Sequence, residues 1–395
     1  MKSISHVTTP DSREDPCTFL VHGGRDPQRF AGLVNTPVHR GSTILAPDLE
    51  TWRERSAGEP FGTYGRFGNP TTRSLEETVA HLEGGYRSII FPSGLAACCH
   101  SLLAFLEGGD HVLMPRSVYG PVRAFTQRVL GRFAIEVEFY DPLAGGNIRD
   151  LMRSNTRVVY VESPGSWTFE VQDIPAIAEE AHAGGAIVVM DNSWASPLYF
   201  KPFEHGVDVS VQAATKYLVG HSDALLGVAT ARESVWPQLQ HGAHDLGQTA
   251  GPDDLYLALR GIRTLDVRLR RHWENGVMLA ESLLDQPLVK RVLHPALPQD
   301  PGHIIWRRDF TGASGLFGVE LHQMDDKVLR ALFSRLKLFG IGLSWGGFES
   351  LILPYDKPAP GKDGGPLLRI HAGLESASDL IADMNEALAF AAASA

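Results

Sequence analysis

From about residue 75 to residue 211, short apolar runs of strand length alternate with helical stretches. This rhythm restricts the chain to an α/β fold with a mainly parallel sheet. The runs are Ser88–Phe91, His111–Met114, Ile135–Phe139, Arg157–Val161, Ala186–Met190 and Val207–Val211. Between them, Leu75 to Leu82, Leu95 to Leu106 and Ile174 to His182 read as helices. In the first of these, Leu75, Val79 and Leu82 stand at steps of four and three, the spacing of one helix face.

The rhythm does not cover the whole chain, whose 395 residues leave room for roughly two to three domains. Residues 1–62 lack periodicity and carry Gly23-Gly24, Pro27, Pro37 and Pro47, so they read as an N-terminal arm of loops and short turns that must lie on something else. Residues 63–256 form the large α/β domain. From Leu259 through Ile262, Leu265, Leu269, Trp273, Val277 and Ala280 to Leu284, one apolar stripe predicts a single helix of roughly 25–30 residues linking the domains. Arg260, Arg263, Arg270 and Arg271 lie off the stripe and read as a solvated face. The strand-like runs Leu316–Leu321, Leu351–Leu353 and Leu367–His371 and helices at Lys327–Leu338 and from Ser378 make residues 257–395 a smaller α+β domain. Lys357 to Gly365, rich in Pro, Gly and Lys, reads as an exposed loop.

Composition removes several classes of function. Lys and Arg total 36 against 46 Asp and Glu, a net charge of −10. A nucleic-acid binder needs the opposite balance to displace counterions, although a local basic pocket stays possible. Three cysteines, Cys17, Cys98 and Cys99, two of them adjacent, make no disulfide scaffold and suit a reducing cytoplasm. Met1 to Asp15 is polar, without the apolar core of a signal segment, and no run approaches the eighteen or so apolar residues of a membrane span. There is no G-x-G-x-x-G after a strand and no phosphate-binding loop of the G-x-x-x-x-G-K type. His241 and His244 lack accompanying metal ligands.

Ligands of open α/β sheets bind at the carboxyl ends of the strands, so polar residues directly after apolar runs are the candidates. Ser93-Gly94 opens a helix, where the N–H groups of Gly94 and Leu95 suit an anion such as phosphate. Asp191 ends a buried run and needs a cationic partner. Lys216 follows a strand among small neutral residues; a desolvated lysine has a lowered pKa and condenses with carbonyls, and Thr215 beside it offers a hydroxyl to a phosphate. Arg369 interrupts the apolar run Leu367–His371 and suits a planar carboxylate. Each has an ordinary structural reading: a turn, a cap, a lysine reaching solvent, an internal salt bridge. Together they match pyridoxal phosphate, which needs a phosphate cup, an acid for its pyridine nitrogen and a lysine for its aldehyde, with an arginine for an amino-acid substrate.

The residues that carry this set also resemble a known family. Gln212-Ala213-Ala214-Thr215-Lys216-Tyr217-Leu218-Val219-Gly220-His221-Ser222-Asp223 is similar to the lysine motif of the Cys/Met-metabolism pyridoxal-phosphate enzymes. Tyr64-Gly65-Arg66, Glu162-Ser163-Pro164-Gly165-Ser166, Asp191-Asn192-Ser193-Trp194, Ser344-Trp345-Gly346-Gly347 and Leu368-Arg369-Ile370-His371 match in family order, over about Thr18 to Leu388. The resemblance implies fold type I of pyridoxal-phosphate enzymes, the aspartate aminotransferase-like α/β architecture. It implies that Lys216 holds the cofactor and moves protons, that Asp191 keeps the pyridine nitrogen protonated and that Tyr119 stacks on the ring. Ser93, Gly94, Leu95 and Thr215 would hold the phosphate, and Tyr64 and Arg66 would reach the phosphate of a neighbouring subunit. The expected assembly is then a homo-oligomer, at least a dimer with a shared site and commonly a tetramer. Tyr64, Ser344, Trp345 and Arg369 would meet the substrate.

Within the family, Trp345 points to the beta-lyase branch, because gamma-enzymes usually carry leucine there. The implied reaction is α,β-elimination of L-cystathionine, or a related S-substituted cysteine, to a thiol, pyruvate and ammonia. A gamma-synthase or gamma-lyase is the alternative, with a non-catalytic protein on the same fold behind it. The chain departs from the family in three places: Ala213 removes one phosphate hydroxyl, His244 stands where beta-lyases carry a pocket tyrosine, and Phe67-Gly68-Asn69-Pro70-Thr71 follows the wider family.

Overall fold

The structure, a computed structural model, describes residues 15–58, 62–355 and 364–394. The proposed exposed loop at Lys357–Gly365 falls mostly outside them, as does the polar N-terminus. The arm carries helices α1 (Pro16–His22) and α2 (Leu49–Ala57). The large unit follows as α3 (Pro70–Glu83), β1 (Arg87–Phe91), α4 (Gly94–Leu103), β2 (His111–Pro115), α5 (Gly120–Arg128), β3 (Glu136–Tyr140), β4 (Thr156–Glu162), α6 (Ile174–Ala183), β5 (Ile187–Asp191), α7 (Ser196–Tyr199), β6 (Val209–Gln212), β7 (Gly227–Ala231) and α8 (Trp236–Asp245). Next comes α9 (Pro252–Ile262), which packs on α3. The second unit is α10 (Leu265–Ser282), β8 (Val289–Leu293), α11 (His303–Asp309), β9 (Leu316–Leu321), α12 (Asp326–Arg335), β10 (Gly340–Ile341), β11 (Leu351–Tyr355), β12 (Leu367–His371) and α13 (Ala377–Ala392).

Among the described residues, seven strands form the large sheet in the order β1-β7-β6-β5-β4-β2-β3. The pairs from β3 through β2, β4 and β5 to β6 are parallel; β7 is antiparallel to β6 and β1. The sheet is covered on both faces. Val158, Tyr160 and Val189 pack with α4 and α8 residues such as Cys98, Leu102 and Leu239, whereas Val159, Val161, Val188 and Met190 pack with Leu75, Val79, Ile177 and Ala178 of α3 and α6. Burial on both faces is why these strands read as continuous apolar runs and not as alternating ones. The second unit folds a five-stranded sheet, β10-β11-β12-β9-β8, over its own core of Leu279, Phe317, Val319, Ile370, Leu380 and Met384. The mixed, mainly parallel α/β fold therefore stands as expected.

Two expectations change. The single long helix is two, α9 and α10, parted at Arg263-Thr264. The Gly261 carbonyl, which in a continuous helix would accept from Leu265, accepts instead from the N–H of Thr264 at 3.1 Å and from buried Arg268 Nη2 at 2.7 Å. A side chain entering the ladder breaks a helix in this way. Nor is Arg263 solvated: its guanidinium donates to the carbonyls of Leu20 (2.7 Å) and Gly23 (2.8 Å) and so clamps the end of α1. The arm thus packs partly on its own chain, with Phe19 and Leu20 buried. Leu33, Val34, Leu45, Leu49 and Trp52 remain exposed.

Candidate active site

The carboxyl ends of β4, β5 and β6 place Glu162, Asp191 and the Ala213–Lys216 turn side by side. Glu162 and Asp191 are register partners, and Asp191 pairs with Val211 just before Lys216. One Asp191 oxygen accepts the Ser193 N–H at 3.0 Å, and the other lies 3.7 Å from the Cys98 thiol, which donates to it. Burial raises the Asp191 pKa against these hydrogen bonds and the charge of Lys216. Cys98, which packing alone would explain, therefore touches the candidate acid.

Lys216 is half-buried. Its Nζ donates to Ser344 Oγ at 2.5 Å and lies 5.1 Å from the centre of the Trp345 ring. Desolvation, helped by the positive charge of Arg369, lowers its pKa to about 8, with Asp191 opposing. An amine with that pKa is neutral in roughly a tenth of molecules at pH 7, far more than an ordinary lysine, and the neutral form is what a nucleophile or base requires. Ser344 and Trp345 come from the second unit, so the site is built across the joint between the two.

Arg369, on β12, is 8% exposed. Its guanidinium covers the face of Trp167, 4.8 Å from the ring centre. No carboxylate among the described residues pairs with it, which removes the salt-bridge explanation. A buried unpaired cation is costly and marks a place for an anion. Burial lowers the Arg369 pKa.

Tyr119 opens α5, and its N–H donates to Glu162 Oε2 at 2.7 Å. Burial, with the charges of Cys98 and Asp191, raises the pKa of its phenol. Helix α4 starts beside them. The Ser93 hydroxyl is turned inward, accepting the Ala96 N–H at 3.1 Å. A Cβ on Gly94 would lie 2.6 Å from the Ala213 Cβ, so only glycine lets this helix start sit against the lysine turn. Thr215 differs from expectation in detail: its hydroxyl donates to the Leu226 carbonyl at 3.1 Å and accepts the Leu226 N–H at 2.9 Å. Its single proton is thus already engaged.

The structure brings together Lys216, Asp191, Tyr119, Ser344, Trp345 and Arg369, with Ser93, Gly94, Leu95 and Thr215 at one side. It does not bring Tyr64 or Arg66 to them. Tyr64 is 46% exposed. Arg66 donates to the His244 carbonyl at 2.9 Å and stacks on Phe67 at 4.3 Å; His244 meets Phe67 edge-on.

Sequence reasoning gave no role to Glu162, Ser193 or Trp167. Glu162 was legible as an acid directly after an apolar run, by the rule that found Asp191. Ser193, whose Oγ accepts the Ala213 N–H at 2.7 Å, left no signal beyond its neighbour, and Trp167 left none. Among the described residues no cluster of three or more His, Cys, Asp or Glu could hold a metal ion. No described helix is long and apolar enough to cross a membrane.

An α/β sheet topped by a partly desolvated lysine, a strand-end acid, a helix N-terminus and an unpaired arginine defines a protein of the pyridoxal-phosphate fold type I class. The chain belongs to the Cys/Met metabolism PLP-dependent enzyme family, whose model matches residues 17–389. It is 46% identical to a putative cystathionine beta-lyase of Rhizobium johnstonii, covering 96% of each chain. It is 43% identical to the cystathionine beta-lyase of Escherichia coli, over 94% of this chain and 98% of that one. It is also 39% identical to an L-alanine/L-glutamate racemase of Wolbachia pipientis, over 94% and 96%. Among solved structures, a cystathionine gamma synthase from Xanthomonas oryzae superposes with a TM-score of 0.90 at 32% identity, over 97% of this chain and 100% of the other.

The residues present fit pyridoxal 5'-phosphate. The start of α4 offers free N–H groups at Gly94 and Leu95 for a phosphate, Asp191 lacks a strong cationic partner that a pyridinium would supply, and Lys216 has the lowered pKa that bonding to an aldehyde demands.

Proposed function

We propose that this chain is a carbon–sulfur beta-lyase that splits L-cystathionine, or a related S-substituted cysteine, into a thiol, pyruvate and ammonia. The observation that carries the reading is Arg369, buried without a carboxylate beside a lysine whose pKa is about 8. A cation in that position fits the α-carboxylate of an amino acid and turns its Cα toward Lys216. When bound, pyridoxal phosphate supplies an electron sink for the charge left when the Cα proton departs.

The chain's own groups do the rest. Arg369 grips the carboxylate. Lys216 Nζ, oriented by Ser344 Oγ, takes the Cα proton. Asp191, its carboxylate fixed by Ser193 and Cys98, would hold a proton at the pyridine nitrogen of the bound cofactor. The Tyr119 phenol, whose raised pKa keeps it protonated, donates to the departing thiolate. Trp345 and Trp167 wall the pocket and limit water. Lys216 and Tyr119 each exchange one proton with the substrate; Arg369 stays charged throughout.

Tyr64 and Arg66 complete the phosphate site of a second copy of the chain. Two observations support this: neither touches the Lys216 cluster of its own chain, and the arm leaves Leu33, Val34, Leu45, Leu49 and Trp52 exposed. The site is then shared in at least a dimer. The three free cysteines suit a reducing cytoplasm.

The test is a substrate panel on the holoenzyme, with L-cystathionine, L-cystine, S-ethyl-L-cysteine and L-alanine. Pyruvate and 2-oxobutyrate are both measured, and the chirality of the alanine is followed. Pyruvate from cystathionine is expected. 2-Oxobutyrate in its place would establish a gamma-enzyme, and inversion of alanine without pyruvate would establish a racemase.

A further inference from the structure

The amine of Lys216 is oriented by one hydroxyl, Ser344 Oγ, and that hydroxyl stands in an awkward place. Ser344 has φ 84°, and two residues on Gly346 has φ 85°. The first is a left-handed backbone for a residue with a side chain, which persists only where the surroundings impose it. A Cβ on Gly346 would lie 3.0 Å from the Lys216 carbonyl carbon, so the loop presses directly on the backbone that carries the lysine.

Few contacts impose this geometry. The far end of the loop is tied by the N–H of Leu374 to the Phe348 carbonyl at 2.8 Å and by Ser350 to Glu375. Among the described residues, the hydrogen bonds that reach 344–347 come from Lys216, which must move during the reaction, and from His371. The His371 ring is 1% exposed. Its Nε2 lies 3.1 Å from the Gly346 nitrogen and 3.2 Å from the Gly347 oxygen. A ring nitrogen serves one of these at a time: as a lone pair it accepts the Gly346 N–H, as an N–H it donates to the Gly347 carbonyl. In either form it holds the loop.

His371 lies two residues past Arg369 on β12, so both side chains leave the same face of the strand. We propose that His371 is a positioning residue, pinning the Ser344–Gly347 loop so that the strand carrying the substrate-binding guanidinium also fixes the hydroxyl that aims Lys216. The proposal rests on reading Lys216 as the group that moves the proton.

The groups that face His371 are His272 of α10, with ring centres 4.9 Å apart, Tyr217 at 6.1 Å, and the charges of Lys216 and Arg369. Burial and these neighbours keep His371 neutral through the working range. His272 is held neutral as well, its pKa lowered to about 4, with its Nδ1 on the Ala372 carbonyl at 2.8 Å. The clamp therefore does not release with pH.

The test compares His371→Phe, which keeps a buried ring and loses the hydrogen bond, with His371→Gln, which restores an acceptor. Each is made in the native chain and in a Ser344→Ala chain. The readouts are kcat and KM for the best substrate, and the pH dependence of the rate at which the cofactor-free protein captures pyridoxal phosphate, followed by visible absorbance. The expected result for His371→Phe is a kcat lower by about tenfold or more, with KM little changed and the capture profile displaced. His371→Gln recovers most of both. In the Ser344→Ala background the His371→Phe effect disappears. A native capture profile and kcat in His371→Phe, or the same loss with and without Ser344, overturns the proposal. If His371→Phe does not fold, His371→Leu, which also loses the hydrogen bond, takes its place in the same comparison of the two backgrounds. Native protein that captures no pyridoxal phosphate overturns the underlying reading instead.

Discussion

Arg369 acts on the chemistry of Lys216. With burial, the guanidinium lowers the lysine pKa, and under the proposed function it also grips the substrate carboxylate. Two outcomes follow. Arg369→Lys is expected to raise KM for amino-acid substrates by roughly 10–150-fold, from the ~1.5–3 kcal/mol of a charge-assisted hydrogen bond, since an ammonium cannot reproduce the bidentate fork; steady-state kinetics read it. Arg369→Leu is expected to move the pH midpoint of pyridoxal-phosphate capture upward from about 8, because a cation that disfavours Lys216 protonation has gone. A downward move would contradict the assignment. A third outcome concerns Glu83, fully buried on α3, where Gln212 Nε2 donates to its Oε1 at 2.5 Å. Burial raises its pKa from 4.5 to about 6. With the folded pKa above the unfolded one, its contribution is full below about pH 4.5 and is lost as pH rises through about 6. Glu83→Gln is expected to remove this loss, on the order of 2 kcal/mol, seen as a flatter dependence of the urea midpoint on pH between 4.5 and 7.

Among the elements, the break between α9 and α10 shows what periodicity cannot report. Leu259, Ile262, Leu265 and Leu269 sit on one stripe and are buried as that stripe demands. The helix nevertheless stops, because Arg268 turns inward to the Gly261 carbonyl and Thr264 Oγ1. Arg268→Met keeps the volume but removes the hydrogen bonds to the Gly261 carbonyl and Thr264 Oγ1. It is expected to cost about 1–3 kcal/mol, measured as a lower urea midpoint with an unchanged slope. The strands were more legible: the apolar runs Leu316–Leu321 and Leu367–His371 coincide with β9 and β12. β7 passed unnoticed, since Gly227–Ala231 is made of small residues that give no strand signal until they pair with β1 and β6.

At the scale of the whole molecule, the site draws on the large sheet for Asp191 and Lys216 and on the second unit for Ser344, Trp345 and Arg369. Under the proposed function it also draws on a second copy for Tyr64 and Arg66. Mixing Lys216→Ala with Arg66→Ala chains after co-refolding tests that sharing. Neither variant alone should act. Hybrid dimers would hold one intact site each, so random pairing should restore about a quarter of native activity. No recovery in verified hybrids would mean that each chain builds its own site.

The sequence by itself determined the α/β class, most of the large sheet's strands and the candidate residues of the site. A buried parallel strand must be apolar along its length, and polar residues at strand ends stand out against such runs; Lys216 and Asp191 were found in that way, and Arg369 as a charge interrupting an apolar run. Only the tertiary structure decided which of the alternatives each residue takes. Arg369 could have been half of a salt bridge until the fold left it without a carboxylate. Thr215 could have offered its proton to a phosphate until the Leu226 carbonyl was seen to hold it. Ser344, Cys98 and His371 matter through contacts spanning 128, 93 and 25 residues of chain, to Lys216, Asp191 and Gly346 respectively. Local pattern carries the burial of a face, but a pair contact depends on how distant segments pack, and no periodicity encodes that.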